Sequence, residues 1–133
     1  MASNYTTNFG LCQWEATDQV QRTEFNADNA KIDAALAKTC QPYIISYTGD
    51  GNQTRTMEFP GKPLFVIAVG SSVIFTAIRG GEKAYSVFSG MAQGSYLTTW
   101  GERSFTWQIG TQLAYSANNT GAAYQMFALL SME

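Results

Sequence analysis

No histidine occurs anywhere in this sequence, which removes the Ser-His-Asp set, the Cys-His pair and the usual mixed zinc site in one stroke. Cysteine occurs only twice. Cys12 and Cys40 are too few for a disulfide framework, so they are either two buried free thiols or one bridge formed after release from the cell. Charge is scarce as well, at 14% of residues and a net of −2, and the eight Lys and Arg are scattered along the chain. Nucleic acid is therefore not an expected partner, because counterion-driven binding needs clustered cations. The longest apolar run, LFVIAVG, is far short of a membrane span, and MASNYTTNFG has neither the basic nor the apolar part of a signal peptide. The phosphate-cradling patterns GxxxxGK[ST] and GxGxxG are missing too. These absences predict a soluble protein made in the cytoplasm, with no membrane insertion, no cofactor and no metal.

What is present divides the chain in two. Residues 23–38, TEFNADNAKIDAALAK, carry the one sustained helical period. Thr23 is a good N-cap, Glu24 sits in the first turn, and Pro42 limits continuation. Phe25, Asn29, Ile32 and Leu36 are spaced four, three and four, a heptad seam, with several alanines that let another backbone come close. A helix this short is marginal alone, so the seam needs an apolar partner. The polar Asn29 fits either a register-setting position between identical helices or a cap on a neighbouring loop. Ahead of the helix, residues 1–22 read as an extended arm. Its apolar groups, Phe9, Leu11 and Trp14 among them, should lie along the helix or along helices of neighbouring chains. Together 1–42 form an arm and oligomerisation helix.

From Tyr43 the pattern changes to period two with Gly-marked turns. Strands are expected at YIISYT, TRTMEF, LFVIAVG, SVIFTAIRG, KAYSVFSG, SYLTTWG, RSFTWQIG, QLAYSAN and AAYQMFALLSM. TGDGNQ should join the first two as a hairpin, and PGKP, RGGE, MAQG, WGER and NNTG should be turns. In SFTWQI, Phe105, Trp107 and Ile109 face one way and the polar residues the other. LFVIAVG is apolar on both faces, so it is either a central strand or covered by another subunit. The expected fold is mainly β: an antiparallel β-sandwich or jelly-roll-like head over 43–133, preceded by the extended arm and one N-terminal α-helix, assembled as a trimer.

Catalysis has little to work with. Asp50, Glu58, Glu82 and Glu102 sit beside turns or on wet faces, where a glycosidase pair facing across a cleft is not expected. Aromatics near strand ends are a better signal: Tyr85, Tyr96, Trp100 and Tyr115 lie close to Arg103, Asn118 and Asn119. Rings, amides and guanidinium groups together grip sugars and protein surfaces, so these residues are the candidate receptor site, centred on Tyr96, Trp100 and Arg103.

The segment NFGLCQWEATDQVQRTEFNADNAKIDAAL resembles the opening of short phage tail-fibre and receptor-binding proteins encoded in prophages of Gram-positive gut bacteria. Its motif is Trp14, Asp18 and Val20 followed by Phe25, Asn26, Asp28, Asn29, Ile32, Asp33 and Leu36. YTGDGNQTRTMEF and GKPLFVIAV resemble the start of the β-rich head of such fibres more loosely. The resemblance implies a homotrimer in the virion, made in the bacterial host and released outside it. It further implies that the arm and helix meet other virion tail proteins while the heads bind a host cell-surface glycan or protein. No long shaft is present, which fits a tail-tip or accessory protein. A purely structural tail-tip or capsid-decoration protein is the alternative, and a small surface-glycan hydrolase a more distant one.

Overall fold

The computed structural model describes residues 1–89 and 92–132 and separates into two compact units, Met1–Thr39 and Cys40–Glu133. The boundary falls slightly before the expected one, because the first head strand starts at Cys40 and runs through Pro42. An edge strand tolerates that proline, whose missing N–H need not face a partner.

In the first unit, α1 spans Arg22–Ala37. Thr23 is not its N-cap: Gln21 holds that position in extended conformation, without a side-chain cap bond, and accepts the Phe25 N–H at 3.0 Å. The arm is not one extended stretch. Two short strands, β1 (Asn4–Tyr5) and β2 (Cys12–Gln13), pair antiparallel, and the chain turns between them at Gly10, where φ is +62°. Polar contacts then hold the arm to its own helix. Asp28 accepts the Cys12 N–H at 2.8 Å, Lys31 donates to the Gly10 carbonyl at 2.6 Å, and Glu24 accepts the Ala2 N–H at 3.2 Å. The spacing of residues 24, 28 and 31 puts all three on one helix face. The arm therefore uses a polar face and leaves most of the neighbouring apolar stripe open.

The second unit is mainly β. Its strands are β3 (Cys40–Thr48), β4 (Thr54–Glu58), β5 (Lys62–Gly70), β6 (Val73–Ile78), β7 (Lys83–Phe88), β8 (Ala92–Trp100), β9 (Ser104–Gln108) and β10 (Ala123–Ser131). They form one antiparallel eight-stranded sheet in the order β3-β10-β5-β6-β7-β8-β9-β4. Strands β5 to β9 make a meander, and the sheet curls on itself where the turn spacing had predicted two separate sheets. The change of direction lies within β8, which pairs with β7 up to Leu97 and with β9 from Thr98 onward. Residues of β4 and β9 thus meet the inner face of β6 and its neighbours.

That inner face is built from small residues opposite large ones. Ala68, Ala77, Ala84 and Ser86 leave room for Phe75, Tyr96, Phe105 and Trp107, all of them buried. Phe75 lies 5.1 Å from Trp107 and 6.2 Å from Phe105 between ring centroids. Phe105, Trp107 and Ile109 all point inward, as their alternation predicts. LFVIAVG is central, with β10 on one side and β6 on the other.

Two expectations fail for physical reasons. TGDGNQ is no hairpin, because β3 pairs with β10 and β4 with β9, so β3 and β4 are the two edges of the sheet. QLAYSAN is no strand: Leu113–Tyr115 is a 3₁₀ turn, followed by Ala117 at φ +57°. Its carbonyls are taken by buried rings instead of a ladder. Trp107 Nε1 donates to the Ser116 carbonyl at 2.6 Å and the Tyr47 hydroxyl to that of Ala117 at 2.8 Å. RGGE, WGER and NNTG are turns or bends as expected; in MAQG, Ala92 to Gly94 belong to β8 and Met91 lies outside the described residues. Cys12 and Cys40 are free; Cys12 is half-buried and Cys40 exposed, not buried as the sequence suggested.

Candidate functional site

The residues expected to grip a receptor do not form one surface. Tyr96 is 2% exposed, its hydroxyl held by Ser86 and the Gln112 carbonyl, and burial raises its pKa above the usual tyrosine range. Asn118 is fully buried. Tyr115 packs on Phe88 at 5.0 Å, and the Asn119 N–H donates to the Tyr124 hydroxyl. Trp100 is half-buried against Phe105 at 4.4 Å, with the Arg79 guanidinium 5.3 Å from its ring centre. Its indole N–H is buried without a hydrogen-bond partner among the described residues. Tyr85 is exposed on β7, and Arg103 is exposed in the β8–β9 turn. Arg103 borders a polar hollow of about 140 Å³, which it lines with Pro60, Lys62, Glu102 and Ser131, and buried Tyr96 borders a separate one of about 290 Å³ with Ser95, Gln108 and Gln112. For Tyr96 the alternation Gly94, Tyr96 along β8 was the signal that it points inward.

Asn118 instead belongs to a clasp between the sheet edges. Its amide nitrogen donates to Asp50 at 2.8 Å and to the Asn52 carbonyl at 3.3 Å, while its oxygen accepts from the Asp50 N–H at 3.2 Å. Arg55 on β4 pairs with Asp50 at 3.1 Å, donates to the Thr48 carbonyl on β3 at 3.0 Å, and lies over the Tyr47 ring at 5.0 Å. The Asp50 carboxyl is held below its ordinary range, chiefly by the Asn52 N–H and then by Asn118. Both Asp50 carboxylate oxygens have partners within the clasp, Oδ1 accepting from the Asn52 N–H and the Asn118 amide and Oδ2 facing Arg55, so this carboxylate serves to hold the edges together.

The open apolar surface lies elsewhere, on the outer face of the sheet. Cross-strand register lines up Ile44, Phe127, Ile67, Thr76 and Tyr85 in one row and Gln125, Val69, Ile74, Val87 and Gln93 in the next. Leu129, Phe65 and Ile78 form a third. No charged side chain stands in these rows; Lys83 is at the rim beside Leu97. Ile44, Val69, Ile74, Ile78, Tyr85, Val87 and Leu97 each leave between 43% and 69% of their surface open. They stand on one face of adjoining strands and make an extended open apolar surface of the kind that marks an interaction site.

A second open surface belongs to the first unit. Phe25, Ile32 and Leu36 are 56%, 42% and 61% exposed, and Asn29 beside them is exposed as well. Phe9 and Leu11 of the arm, with Ile32, Ala35, Leu36 and Thr39, border a wholly apolar groove of about 320 Å³. Trp14 is half-buried.

Glu58, Glu82 and Glu102 are exposed, and no group of three or more Cys, Asp or Glu among the described residues is placed to hold a metal ion. Compared with known proteins, the chain matches no family model, no curated protein and no solved structure.

Proposed function

We propose that this chain is a homo-oligomeric attachment protein of the phage tail-fibre type, a virion component that binds a host-surface glycan or protein and carries out no catalysis. The observation that carries this reading is the stripe of Phe25, Ile32 and Leu36, left open by an arm that is already folded on the same helix. Large apolar groups at heptad spacing in water favour a second helix of the same kind, and Asn29 among them can set the register and number of the chains. Resemblance of Trp14, Asp18, Val20 and the following FNADNAKIDAAL to phage tail-fibre openings supplies the context. It also supplies the other virion tail proteins as partners of this unit.

For the receptor, the Arg103 hollow replaces the larger constellation expected from the sequence. Arg103, Lys62 and Glu102 offer charge-assisted hydrogen bonds to hydroxyls or carboxylates. Several weak copies on one oligomer would gain through effective concentration.

Light scattering of the purified chain tests the assembly. An oligomer that falls to a monomer of 14.6 kDa in Ile32→Asp supports it, and a wild-type monomer at tens of micromolar removes it. Host-cell binding by wild type against Arg103→Ala and Lys62→Ala then tests the receptor. An oligomer that binds no host cells, and whose loss disturbs tail assembly, would favour the purely structural alternative. Turnover of wall polysaccharide abolished by Glu102→Gln would favour the hydrolase.

A further inference from the structure

We infer that the outer face of β5, β6 and β7 is a self-association surface, covered in the working assembly by a second copy of this chain. The inference rests on the preceding reading only for the existence of a homo-oligomer, and not on the helix stripe or on any receptor.

Three features point to a second copy over a foreign partner. The first is extent. Open aliphatic side chains stand on three adjoining strands at Val69, Ile74, Ile78 and Val87, and Ile44 and Leu97 carry the same face onto β3 and β8, a breadth that suits an interface of standard size, ~800 Å² on each partner. The second is charge. When two identical surfaces meet, like charges come together, so a surface free of charge can be shared by copies without repulsion, and the rows around Ile74 and Ile67 carry none. The third is chemistry. Val69, Ile74, Ile78 and Val87 are aliphatic and exposed, whereas a glycan would need exposed amide, charged or ring groups, and the rows offer Gln125, Gln93 and Tyr85, with the rings of Phe65 and Phe127 half-buried. A sheet that spends branched aliphatics on both faces reads as one buried on both faces.

These exposed positions can be changed without touching the core, which makes the test clean. Ile74→Lys and Ile78→Lys each place a cation on the outer face of the full-length chain, at side chains more than half open in the single chain. Carbene footprinting of the wild type at tens of micromolar should label Val69, Ile74 and Val87 several-fold less than after dilution to nanomolar. Either substitution should raise the dissociation constant of the assembly by about 100-fold or more and restore the labelling, with the melting temperature of the diluted chain unchanged. An oligomer that labels equally at both concentrations overturns this inference and leaves the helix-stripe reading standing. A wild-type monomer at every concentration overturns both. Protection that arises only on adding host cells would make the face a receptor surface, which also overturns it.

Discussion

The Tyr96 hydroxyl occupies the space that a side chain at position 94 would need: a β-carbon on Gly94 would lie 2.2 Å from that oxygen and 2.7 Å from Ser86 Oγ. Gly94→Ala should therefore destabilise the head by roughly 2–3 kcal/mol through overpacking. Tyr96→Phe removes the clashing oxygen, so the double variant should lose less than the sum of the singles, as read by denaturant titration. Strict additivity would show that the two positions do not compete for space.

The clasp of Asp50, Arg55 and Asn118 should make the head acid-sensitive. The Asp50 carboxyl is held below its ordinary value of 3.8, so its contribution is fully present above about that pH and is lost as pH falls through the lowered, folded-state value. Asp50→Asn should lower the melting temperature near neutrality and flatten its fall below pH ~4. Thermal melts across that range decide it. Two parallel curves would mean that Asp50 does not titrate within the clasp.

Between β5 and β6 the chain turns through only Ser71 and Ser72, both left-handed, at φ +49° and +64°. A two-residue hairpin turn of this hand favours Asn-Gly. Replacing the pair by Asn-Gly should stabilise the protein by about 1 kcal/mol. A lower denaturation midpoint would show that the serine side chains contribute something the backbone geometry does not reveal.

Trp100 and Arg103 share a turn but should answer differently to alanine. Trp100 packs on Phe105 and under Arg79, which in turn donates to the Gly101 carbonyl at 2.6 Å. Trp100→Ala should cost about 2–4 kcal/mol, whereas Arg103→Ala should stay within ~0.5 kcal/mol of wild type in stability. Equal losses in a melting experiment would make Arg103 part of the packing and unsuited to a binding role.

Local signals in the sequence were the dependable ones. The alternation of Phe105, Trp107 and Ile109, the helix through Ile32 and Leu36, and the Gly-marked turns all depend on residues a few positions apart. Partner choice does not. TGDGNQ looks like a hairpin because its residues suit one, yet β3 finds β10 far along the chain and the loop is held by Asn118 instead. Ser71 and Ser72 do not announce a turn, since neither is a residue that prefers positive φ. Tyr96 and Asn118 lie near turns and are buried all the same, because alternation along β8 turns Tyr96 inward and Asn118 collects the hydrogen bonds that let an amide be buried. The open outer face was legible only in part, in LFVIAVG. Its extent came from register across β10, β6 and β7, which no single segment contains.

Strand β10 lies between β3 and β5, so among the described residues the earliest strand of the head has its backbone ladder with the latest alone. During synthesis β3 must wait, with its ladder groups unpaired, until residues 123–131 have left the ribosome, while the meander from β5 to β9 can form from neighbours. Folding of this head then has a late, long-range closing step, the kind that is slow and exposes strand edges. Chains released before β10 would present two open edges at once and be prone to aggregation.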